Sequence, residues 1–414
     1  MLQNHEATVQ LAESMLSGAL GSPVHLSVDE KFDSRHLVLR CRLVGASNHA
    51  PTSIVLKQMA VDAGPEQQLH PLDCFLNELA NLRFFSDLRD RIHFGPRLHC
   101  CHGGVGLLIV EDLGDHQTLQ GILRGDDARL ATDTLIKFGR FLGKVHVATL
   151  GRESEFGAHQ VGAGALPLPS IASQDIRNAM GDLHTCLGAL GVKPPTGFSN
   201  AVDTLEAAIH DECSPFRTWT HCDIKTQNVL RLESTQVQLL DFEMASFGHA
   251  LLDAVSVRMA FPPPPAPVIN AGQKVPPWVI RAFEENYRDE LTEGIPEAAY
   301  DACFQKALVQ ACAHWALIKL LSMWKIHLKE RLADGESYDS RDDIAPHKAA
   351  YARFRQQGVA YLQTLVVTAE EFEQLPTIRT VARMVVAALS AMWPEIEPLP
   401  PFPAFTNRAG DGSE

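Results

Sequence analysis

The strongest constraint on the fold is a pair of short strand-like segments flanked by polar residues in the middle of the chain. The segments VLRL (229–232) and QVQLLDF (236–242) are separated by three polar residues, a pattern typical of a β-hairpin. Asn228 lies just before the first strand, and Asp241 lies at the end of the second. Because the paired strands of a hairpin are only about 5 Å apart, its open end should bring these two residues together.

The residues around this open end predict metal and phosphate chemistry. The amide oxygen of Asn228 and the carboxylate of Asp241 are hard oxygen ligands, which suit Mg²⁺ better than zinc or copper. Asp223 precedes Asn228 in HCDIKTQNVL (221–230) and can present a second carboxylate to whatever the metal holds. A base, a metal-binding amide and a metal-binding carboxylate are the groups that in-line phosphoryl transfer from ATP requires.

The rest of the chain divides into a strand-rich part and a helical part. From about residue 22 to 110, short apolar runs predict strands, interrupted by one amphipathic helix. After residue 115 the apolar residues recur mostly at helical spacing. This change predicts a small sheet-rich lobe followed by a larger helical lobe. The predicted parts are the N-lobe (1–112), the C-lobe (113–400) and an irregular tail (401–414).

Several motifs resemble those of a known family. His221, Asp223 and Asn228 match the H-x-D-x-x-x-x-N catalytic loop of the protein-kinase-like superfamily, and Asp241 stands where that superfamily has D-F-G. Within the superfamily, the chain resembles the aminoglycoside phosphotransferase and choline kinase-like family, and no segment resembles a protein-kinase activation loop. This resemblance implies an α+β, bilobal protein-kinase-like fold whose small N-lobe is an antiparallel sheet with one key helix. The segments that carry it are NELANLRFF (77–85), LLIVEDLG (107–114), FLGKVHVAT (141–149), HCDIKTQNVL (221–230) and DFEMASFGHALLDA (241–254).

The resemblance also implies a nucleotide-binding lysine and a partner glutamate in the N-lobe. Lys57 lies on a predicted strand and Glu78 on the helix that follows. In relatives, such a lysine neutralises nucleotide phosphates, and the carboxylate holds the ammonium in place. Taken singly, each residue is more simply interpreted as a solvated surface charge; their order, together with the downstream motif, favours the pair. The other implied ATP-binding positions are Glu111 and Leu113, through their backbone, and Ser34 or Arg35 in place of a glycine-rich loop.

In the catalytic loop, the resemblance makes Asp223 the residue that orients the acceptor hydroxyl or accepts its proton. Lys225, two residues further on, either offsets charge on the transferring phosphoryl group or is simply exposed to solvent. Cys222 replaces the usual glycine of the family motif, and we interpret it as a packing residue in a tight loop. We interpret His146 and His221 as hydrogen-bonded structural histidines.

Composition limits the partners and the location of the protein. The net charge of −14 argues against nucleic acid as the main partner, and it is compatible with a cationic substrate or with solubility alone. Nine cysteines without a CxxC pair favour a reducing cytoplasm over a disulfide framework. The segment HCCHGG (99–104) is interpreted as a strand entering a hairpin turn, not as a metal site. We expect neither a secretory signal nor a membrane span.

Together these features predict an ATP- and Mg²⁺-dependent phosphotransferase that phosphorylates a hydroxyl group of a small molecule. The candidate acceptors are aminoglycosides, amino sugars and amino alcohols, and the acceptor pocket is expected to include the insert 168–200 and the Pro-rich loop 261–278. The alternative is a catalytically inactive kinase-like protein that binds nucleotide. The sequence leaves open the acceptor, the choice between ATP and GTP, and the oligomeric state.

Overall fold

The computed structural model confirms the predicted α+β architecture. The residues it describes are 5–32, 34, 36–44, 50–59, 70–89, 92–166, 174–232, 236–261, 273–328 and 345–406. Outside them lie Arg35, the predicted hairpin turn 233–235, and parts of the insert, the Pro-rich loop and the tail. None of the helices described is long and apolar enough to cross a membrane.

The strands form one larger sheet and several short pairings. The five strands of the larger sheet are antiparallel, in the order β1–β2–β3–β5–β4 when numbered along the chain. The predicted hairpin of β8 and β9 is confirmed. The strands are β1 (His25–Phe32), β2 (Leu37–Val44), β3 (Ser53–Gln58), β4 (Leu98–His102), β5 (Leu107–Glu111), β6 (Gln117–Thr118), β7 (Arg217–Thr220), β8 (Val229–Leu232), β9 (Gln236–Leu239) and β10 (Ser246–His249).

Helices make up most of the remainder of the described chain. The helices are α1 (His5–Leu20), α2 (Pro71–Asp87), α3 (Leu119–Arg124), α4 (Ala128–Thr149), α5 (Glu153–Ala163), α6 (Met180–Ala189), α7 (Phe198–Ile209), α8 (Leu251–Ala254), α9 (Pro277–Thr292), α10 (Asp301–Met323), α11 (Ala345–Glu371) and α12 (Pro376–Met392).

The chain forms two compact units that are not contiguous in sequence. The first comprises Met1–His116, Arg152–Leu168 and Leu230–Ser246, and the second comprises the remaining segments. The division at residues 112 and 113 that the sequence predicts is close to the end of the first segment. That division places Arg152–Leu168 and Leu230–Ser246 in the C-lobe. In the structure both segments belong to the first unit: the former contains α5, which packs on α2, and the latter contains β9.

In the first unit, strand alternation separates the two faces of the sheet. Leu39 and Leu56 are fully buried in a core that also contains Ala12 and Leu16 of α1. Their neighbours Val38 and Lys57 pair across β2 and β3, and their side chains lie on the opposite face, because side chains alternate along a strand. The fold therefore directs Lys57 away from the α1 side of the sheet.

The helix α2 carries the residues that approach Lys57. It begins at Pro71, a favourable first helical residue, and the His70 side chain caps it by accepting a hydrogen bond from the Leu72 amide. It packs against α5 through an edge-on contact of Phe84 with Phe156, whose ring centroids are 5.6 Å apart.

In the second unit, α4 packs closely along α9. The closest approaches are at Gly139 and Gly143, where an added Cβ atom would lie 2.7 Å from the Phe283 carbonyl oxygen and 2.7 Å from Glu290 Cβ. The buried helix α10 packs against α7 and α11, and α11 packs in turn against α12.

The start of the predicted irregular tail is ordered and packed. The Lys274 amide donates to the Pro400 carbonyl, and the Phe402 amide donates to the Lys274 carbonyl. Pro403–Phe405 forms a short 3₁₀ helix in which Ala404 and Phe405 are buried. These residues, whose proline content suggested irregular structure, therefore pack against the rest of the second unit through apolar side chains.

Candidate active site

Lys57 is at the centre of a charged cluster in the first unit. Its Nζ lies 2.6 Å from Asp241 Oδ1, and 2.8 and 2.6 Å from Oε1 and Oε2 of Glu78. The lysine comes from β3, the glutamate from α2, and the aspartate from the segment after β9. The structure confirms the ion pair between Lys57 and Glu78 and adds a direct contact between Lys57 and Asp241.

Burial and charge oppose each other in this cluster. The Lys57 side chain is only 13% exposed. Burial alone would lower the pKa of Lys57, but the carboxylates of Asp241 and then Glu78 raise it above the ordinary value, so the ammonium stays charged. Burial raises the pKa of Glu78, and the Lys57 ammonium opposes that rise. The result is a cation held by two carboxylates in a poorly solvated position.

A strained backbone directs Asp241 toward Lys57. Asp241 has a φ of +67°, a left-handed conformation that is uncommon outside glycine. The next residue, Phe242, is buried, with its ring edge-on to Phe85 at 4.8 Å between centroids. Gly95 permits this packing, because a Cβ atom there would lie 2.5 Å from a backbone carbonyl and 2.7 Å from the Phe242 ring. The packing of Phe242 thus maintains the conformation at Asp241.

Two buried asparagines of α2 anchor the segment that follows Asp241. Asn77 Nδ2 donates to the carbonyls of Glu243 and Ala245 at 2.9 and 3.0 Å. Asn81 Nδ2 donates to the carbonyls of Phe242 and Ala245 at 3.3 Å. Sequence reasoning missed both residues. The signal was present, because two amides four residues apart share one face of a helix that is otherwise mostly apolar.

A histidine outside the predicted set joins this cluster. His36 Nε2 lies 3.3 Å from Glu243 Oε2, and both side chains are about 6% exposed. His36 is two residues before Val38, which pairs with Lys57, so it continues the face of the sheet on which Lys57 lies. The predicted residue Ser34 is exposed, and its hydroxyl accepts a hydrogen bond from the His36 amide at 3.3 Å.

The predicted hinge residues lie at the end of β5. The Glu111 carboxylate accepts hydrogen bonds from Arg89 Nη2 at 3.2 Å and from the Arg97 amide at 2.9 Å. The Glu111 amide donates to the Arg97 carbonyl at 2.8 Å. Leu113 is half-buried two residues further on. Protein groups therefore engage both the carboxylate and the amide of Glu111.

In the second unit, the structure brings Asp223, Lys225 and Asn228 together. Lys225 Nζ is 2.7 Å from Asp223 Oδ2, and Asn228 Nδ2 donates to the Asp223 carbonyl at 3.1 Å. The Asn228 amide donates to the Lys225 carbonyl at 3.0 Å, which closes the loop into a turn. From the sequence, Lys225 was expected either near the transferring phosphoryl group or in solvent. The structure shows that it forms a direct ion pair with Asp223.

A buried network holds this loop. The carboxylate of Asp253 accepts hydrogen bonds from the amides of His221 and Cys222 at 2.6 and 3.0 Å, although Cys222 has a φ of +60°. His146 Nε2 lies 3.6 Å from the same carboxylate, and its Nδ1 is 2.9 Å from the Tyr287 hydroxyl. The interpretation of His146 as a buried hydrogen-bonded histidine is therefore confirmed.

The donor groups suit a divalent cation and a phosphorylated ligand. Oxygen atoms of Glu78, Asp241 and Glu243 lie within 4.8 Å of one another. The Asp241 carboxylate is about one-third exposed, so it keeps lone pairs open for a ligand. Carboxylate and amide oxygens fit Mg²⁺, and the buried Lys57 ammonium fits phosphate oxygens.

Comparisons with known proteins identify related families. A model described as the Phosphotransferase enzyme family (APH) matches residues 44–278, more than half of the chain. No curated protein matches the chain in sequence. The chain is also similar to solved structures of kinases and phosphotransferases at low sequence identity. One is macrolide 2'-phosphotransferase MphH from Brachybacterium faecium, with 14% identity over 84% of this chain and 98% of that chain and a TM-score of 0.43. Another is choline kinase LicA from Streptococcus pneumoniae, with 15% identity over 86% of this chain and 100% of that chain and a TM-score of 0.41. An ethanolamine kinase from Plasmodium vivax has 12% identity over 86% of this chain and 84% of that chain, with a TM-score of 0.43.

Proposed function

Because the chain belongs to the phosphotransferase enzyme family, we propose that it is a kinase that transfers the γ-phosphoryl group of ATP to a hydroxyl group of a small molecule, with Mg²⁺ as cofactor. The observation that carries this proposal is the contact of Lys57 with both Glu78 and Asp241. A buried ammonium between two carboxylates is a costly arrangement. It suits a site where phosphate oxygens and a divalent ion are to be bound.

On the nucleotide side, Lys57 binds phosphate oxygens, and Glu78 holds the ammonium in place. Asn228 and Asp241 supply the oxygen ligands of Mg²⁺. When bound, this ion neutralises charge on the β- and γ-phosphates.

The remaining nucleotide contacts come from the first unit. The backbone of Glu111 and Leu113 contacts the adenine base. The Ser34 hydroxyl, in the turn before β2, contacts phosphate.

On the acceptor side, Asp223 orients the attacking hydroxyl and accepts its proton as the oxygen–phosphorus bond forms and ADP leaves. The ion pair with Lys225 at 2.7 Å holds the Asp223 carboxylate and offsets its charge. Two hydrogen bonds to Asp253 fix the backbone before Asp223, so the carboxylate has little freedom to reorient.

The acceptor is proposed to be an amine-bearing alcohol, such as an aminoglycoside, an amino sugar or an amino alcohol. The net charge of −14 supports a cationic acceptor, because a negative protein field attracts cations. All nine cysteines are free, which supports a cytoplasmic location where ATP is available. Nucleic acid and membranes are not proposed as partners.

The test is ADP release from Mg²⁺ and ATP in the presence of a panel of hydroxylated amines, with mass spectrometry of the acceptor. We expect at least one acceptor to gain a phosphoryl group, and we expect Asp223→Asn to abolish turnover without abolishing ATP binding. The matched control is Asp203→Asn, which changes an exposed aspartate on α7. ATP binding without phosphorylation of any acceptor would instead support the inactive, nucleotide-binding alternative.

A further inference from the structure

A second cluster of candidate metal ligands lies in the core of the second unit and has no role in the proposed reaction. Glu206 lies in the last turn of α7, His210 directly follows that helix, and His314 comes from α10. His314 Nδ1 lies 2.9 Å from Glu206 Oε1, and His210 Nε2 lies 3.4 Å from Glu206 Oε2. One ligand atom from each residue lies within 4.8 Å of the other two.

The hydrogen bonds of the protein leave this cluster incompletely satisfied. Glu206 and His314 are fully buried. The Glu206 carboxylate accepts hydrogen bonds from the Ile176 amide at 2.8 Å and from His314. The His210 Nε2 atom is buried and lies 3.4 Å from Glu206 Oε2, a contact too poor in geometry to count as a full hydrogen bond. A buried nitrogen with so weak a contact is unfavourable, so an additional group at this position would stabilise it.

The distances fit a shared cation. Two ligands that are each about 2.1 Å from one metal ion are about 3.0 Å apart at a right angle and about 3.4 Å apart in a tetrahedron. His314 Nδ1 is 2.9 Å from Glu206 Oε1 and His210 Nε2 is 3.4 Å from Glu206 Oε2, so each imidazole meets a different oxygen of one carboxylate at a separation in this range. A glutamate and a histidine four residues apart on a helix can also face the same point.

We propose that Glu206, His210 and His314 bind one transition-metal ion, with Zn²⁺ as the preferred metal. Two imidazoles and a carboxylate suit zinc better than Mg²⁺ or Ca²⁺, which require more oxygen ligands. The His210 side chain is about one-quarter exposed, so water can provide a fourth ligand. The positive ion also compensates the buried Glu206 carboxylate.

The metal would have a structural role, joining the end of α7 to α10. Glu206 already holds the Ile176 amide, near the start of the described part of the insert predicted to contribute to the acceptor pocket. A metal linking α7 to α10 would join this segment to the buried core helix. The proposal does not depend on phosphotransferase activity, because none of these three residues is assigned to ATP or to the acceptor.

The experiment uses full-length protein without a histidine tag. After dialysis against zinc and then against metal-free buffer, elemental analysis should give about one equivalent of zinc per chain, and EDTA should lower the melting temperature. Replacement of zinc by Co²⁺ should give visible absorption bands of a four-coordinate site. His210→Gln should lose the metal and the bands. His184→Gln, which changes an exposed histidine of α6 bonded to Ser199, should keep both.

Several results would overturn the proposal. Wild-type protein with less than about 0.1 equivalent of zinc and no cobalt bands would show that Glu206 is only hydrogen-bonded. Retention of a full equivalent by His210→Gln would also contradict it. Loss of zinc in Asp241→Asn would assign the metal to the nucleotide site instead. His210→Gln is the main variant because its side chain is partly exposed, whereas a change at the fully buried His314 risks misfolding.

Discussion

At the scale of single residues, Cys222 has a side chain that its backbone conformation disfavours. Its φ of +60° costs a residue with a Cβ atom about 1–2 kcal/mol, and glycine avoids that cost. The Cys222 thiol is buried and lies 3.1 Å from the Thr220 hydroxyl, which offsets part of the strain. Hydrogen bonds from the His221 and Cys222 amides to Asp253, together with side-chain packing, therefore hold Cys222 in a backbone conformation that its own side chain disfavours.

The first prediction compares two substitutions at Cys222. Cys222→Gly should change the free energy of unfolding by less than about 1 kcal/mol, because relief of strain balances the lost packing. Cys222→Val should destabilise by about 1–3 kcal/mol and lower kcat, since a β-branched residue resists the left-handed conformation. Urea denaturation and steady-state kinetics of both variants check this. Equal stability of the two variants would show that the loop changes conformation freely.

The second prediction concerns the turn before β2, where sequence and structure emphasise different residues. The sequence selected Ser34, whereas the structure places His36 beside Glu243 and on the same face as Lys57. On the proposed function, His36→Gln should weaken ATP binding about tenfold and leave adenosine binding nearly unchanged, because His36 holds Glu243 beside the phosphate-binding Lys57, and adenosine has no phosphate for Lys57 to bind. Ser34→Ala should have the smaller effect. Isothermal titration calorimetry with both ligands measures the difference, and equal losses for ATP and adenosine would contradict a phosphate-side role.

The predicted catalytic loop illustrates what sequence spacing can and cannot reveal. Asp223, Asn228 and Asp241 could be proposed together because a short loop and a hairpin connect them along the chain. The partners of Asp241 and Glu243, namely Lys57 and His36, come from segments about two hundred residues away, and periodicity carries no information about such contacts. The ion pair of Lys57 with Glu78 was predictable only because a family resemblance supplied the order of the two residues.

At the scale of secondary structure, helical spacing and continuous apolar runs were both informative. Helices α4 and α7 bury one face at helical spacing, whereas β5 and most of α10 are buried nearly all round and form continuous apolar runs. Helix α5 has neither signal, because Phe156 is its one buried residue, and it was missed. It joins the first unit by contacting α2, so its position depends on a partner and not on its own sequence.

The third prediction concerns the contact of α4 with α9. In Gly143→Ala, the added methyl group would lie 2.7 Å from Glu290 Cβ and 2.8 Å from the Tyr287 carbonyl oxygen, and the backbone of a packed helix has little room to move. We expect a loss of about 1–3 kcal/mol in the free energy of unfolding. Gly157→Ala in α5 is the control, since nothing lies within 4 Å of its added methyl group. It should stabilise by about 0.5–1 kcal/mol through helix propensity.

The fourth prediction concerns Lys319, which lies where α10 meets α11. Its Nζ donates to Gln357 Oε1 at 2.9 Å and lies 3.9 Å from the centre of the Phe354 ring. Burial lowers the pKa of Lys319 to about 7. Below that pH the Lys319 amine is charged in both the folded and the unfolded state. The cost of burying the charged amine then lowers the free energy of unfolding in full. Between about pH 7 and the unfolded value near 10.4, the unfolded state binds more protons, so stability should rise with pH.

The Lys319→Met variant separates this effect from the rest of the titration. It should be about 1–2 kcal/mol more stable than the wild type at pH 7 and should lose the rise in stability between pH 7 and 10, because methionine carries no charge to bury. Lys306→Met changes an exposed lysine of the same helix and should leave the pH profile intact. Thermal or urea unfolding across this pH range provides the measurement. A profile unchanged in Lys319→Met would show that the amine stays charged in the folded state.

At the scale of the whole molecule, neither compact unit is a continuous piece of the chain. The first unit is complete only when Leu230–Ser246 joins the sheet-containing N-terminal segment. That late segment contains Asp241, and the asparagines of α2 hold its backbone. Folding of the cluster around Lys57 therefore depends on contacts of long sequence separation, which a linear division of the chain into lobes does not capture.

The proposed function makes its most demanding claim at this scale. One Mg²⁺ ion is proposed to bind both Asn228 and Asp241. A double-mutant cycle tests this claim in solution. Asn228→Ala and Asp241→Asn should each weaken the apparent affinity for Mg²⁺ in the presence of ATP by about tenfold or more. If the two residues share the ion, the double variant should bind Mg²⁺ only slightly less tightly than the single variant with the lower affinity, because one substitution already leaves the site incomplete. Additive losses, measured by titration of ATP-saturated protein with Mg²⁺, would mean that the two residues act at separate places and would remove the basis for the proposed arrangement.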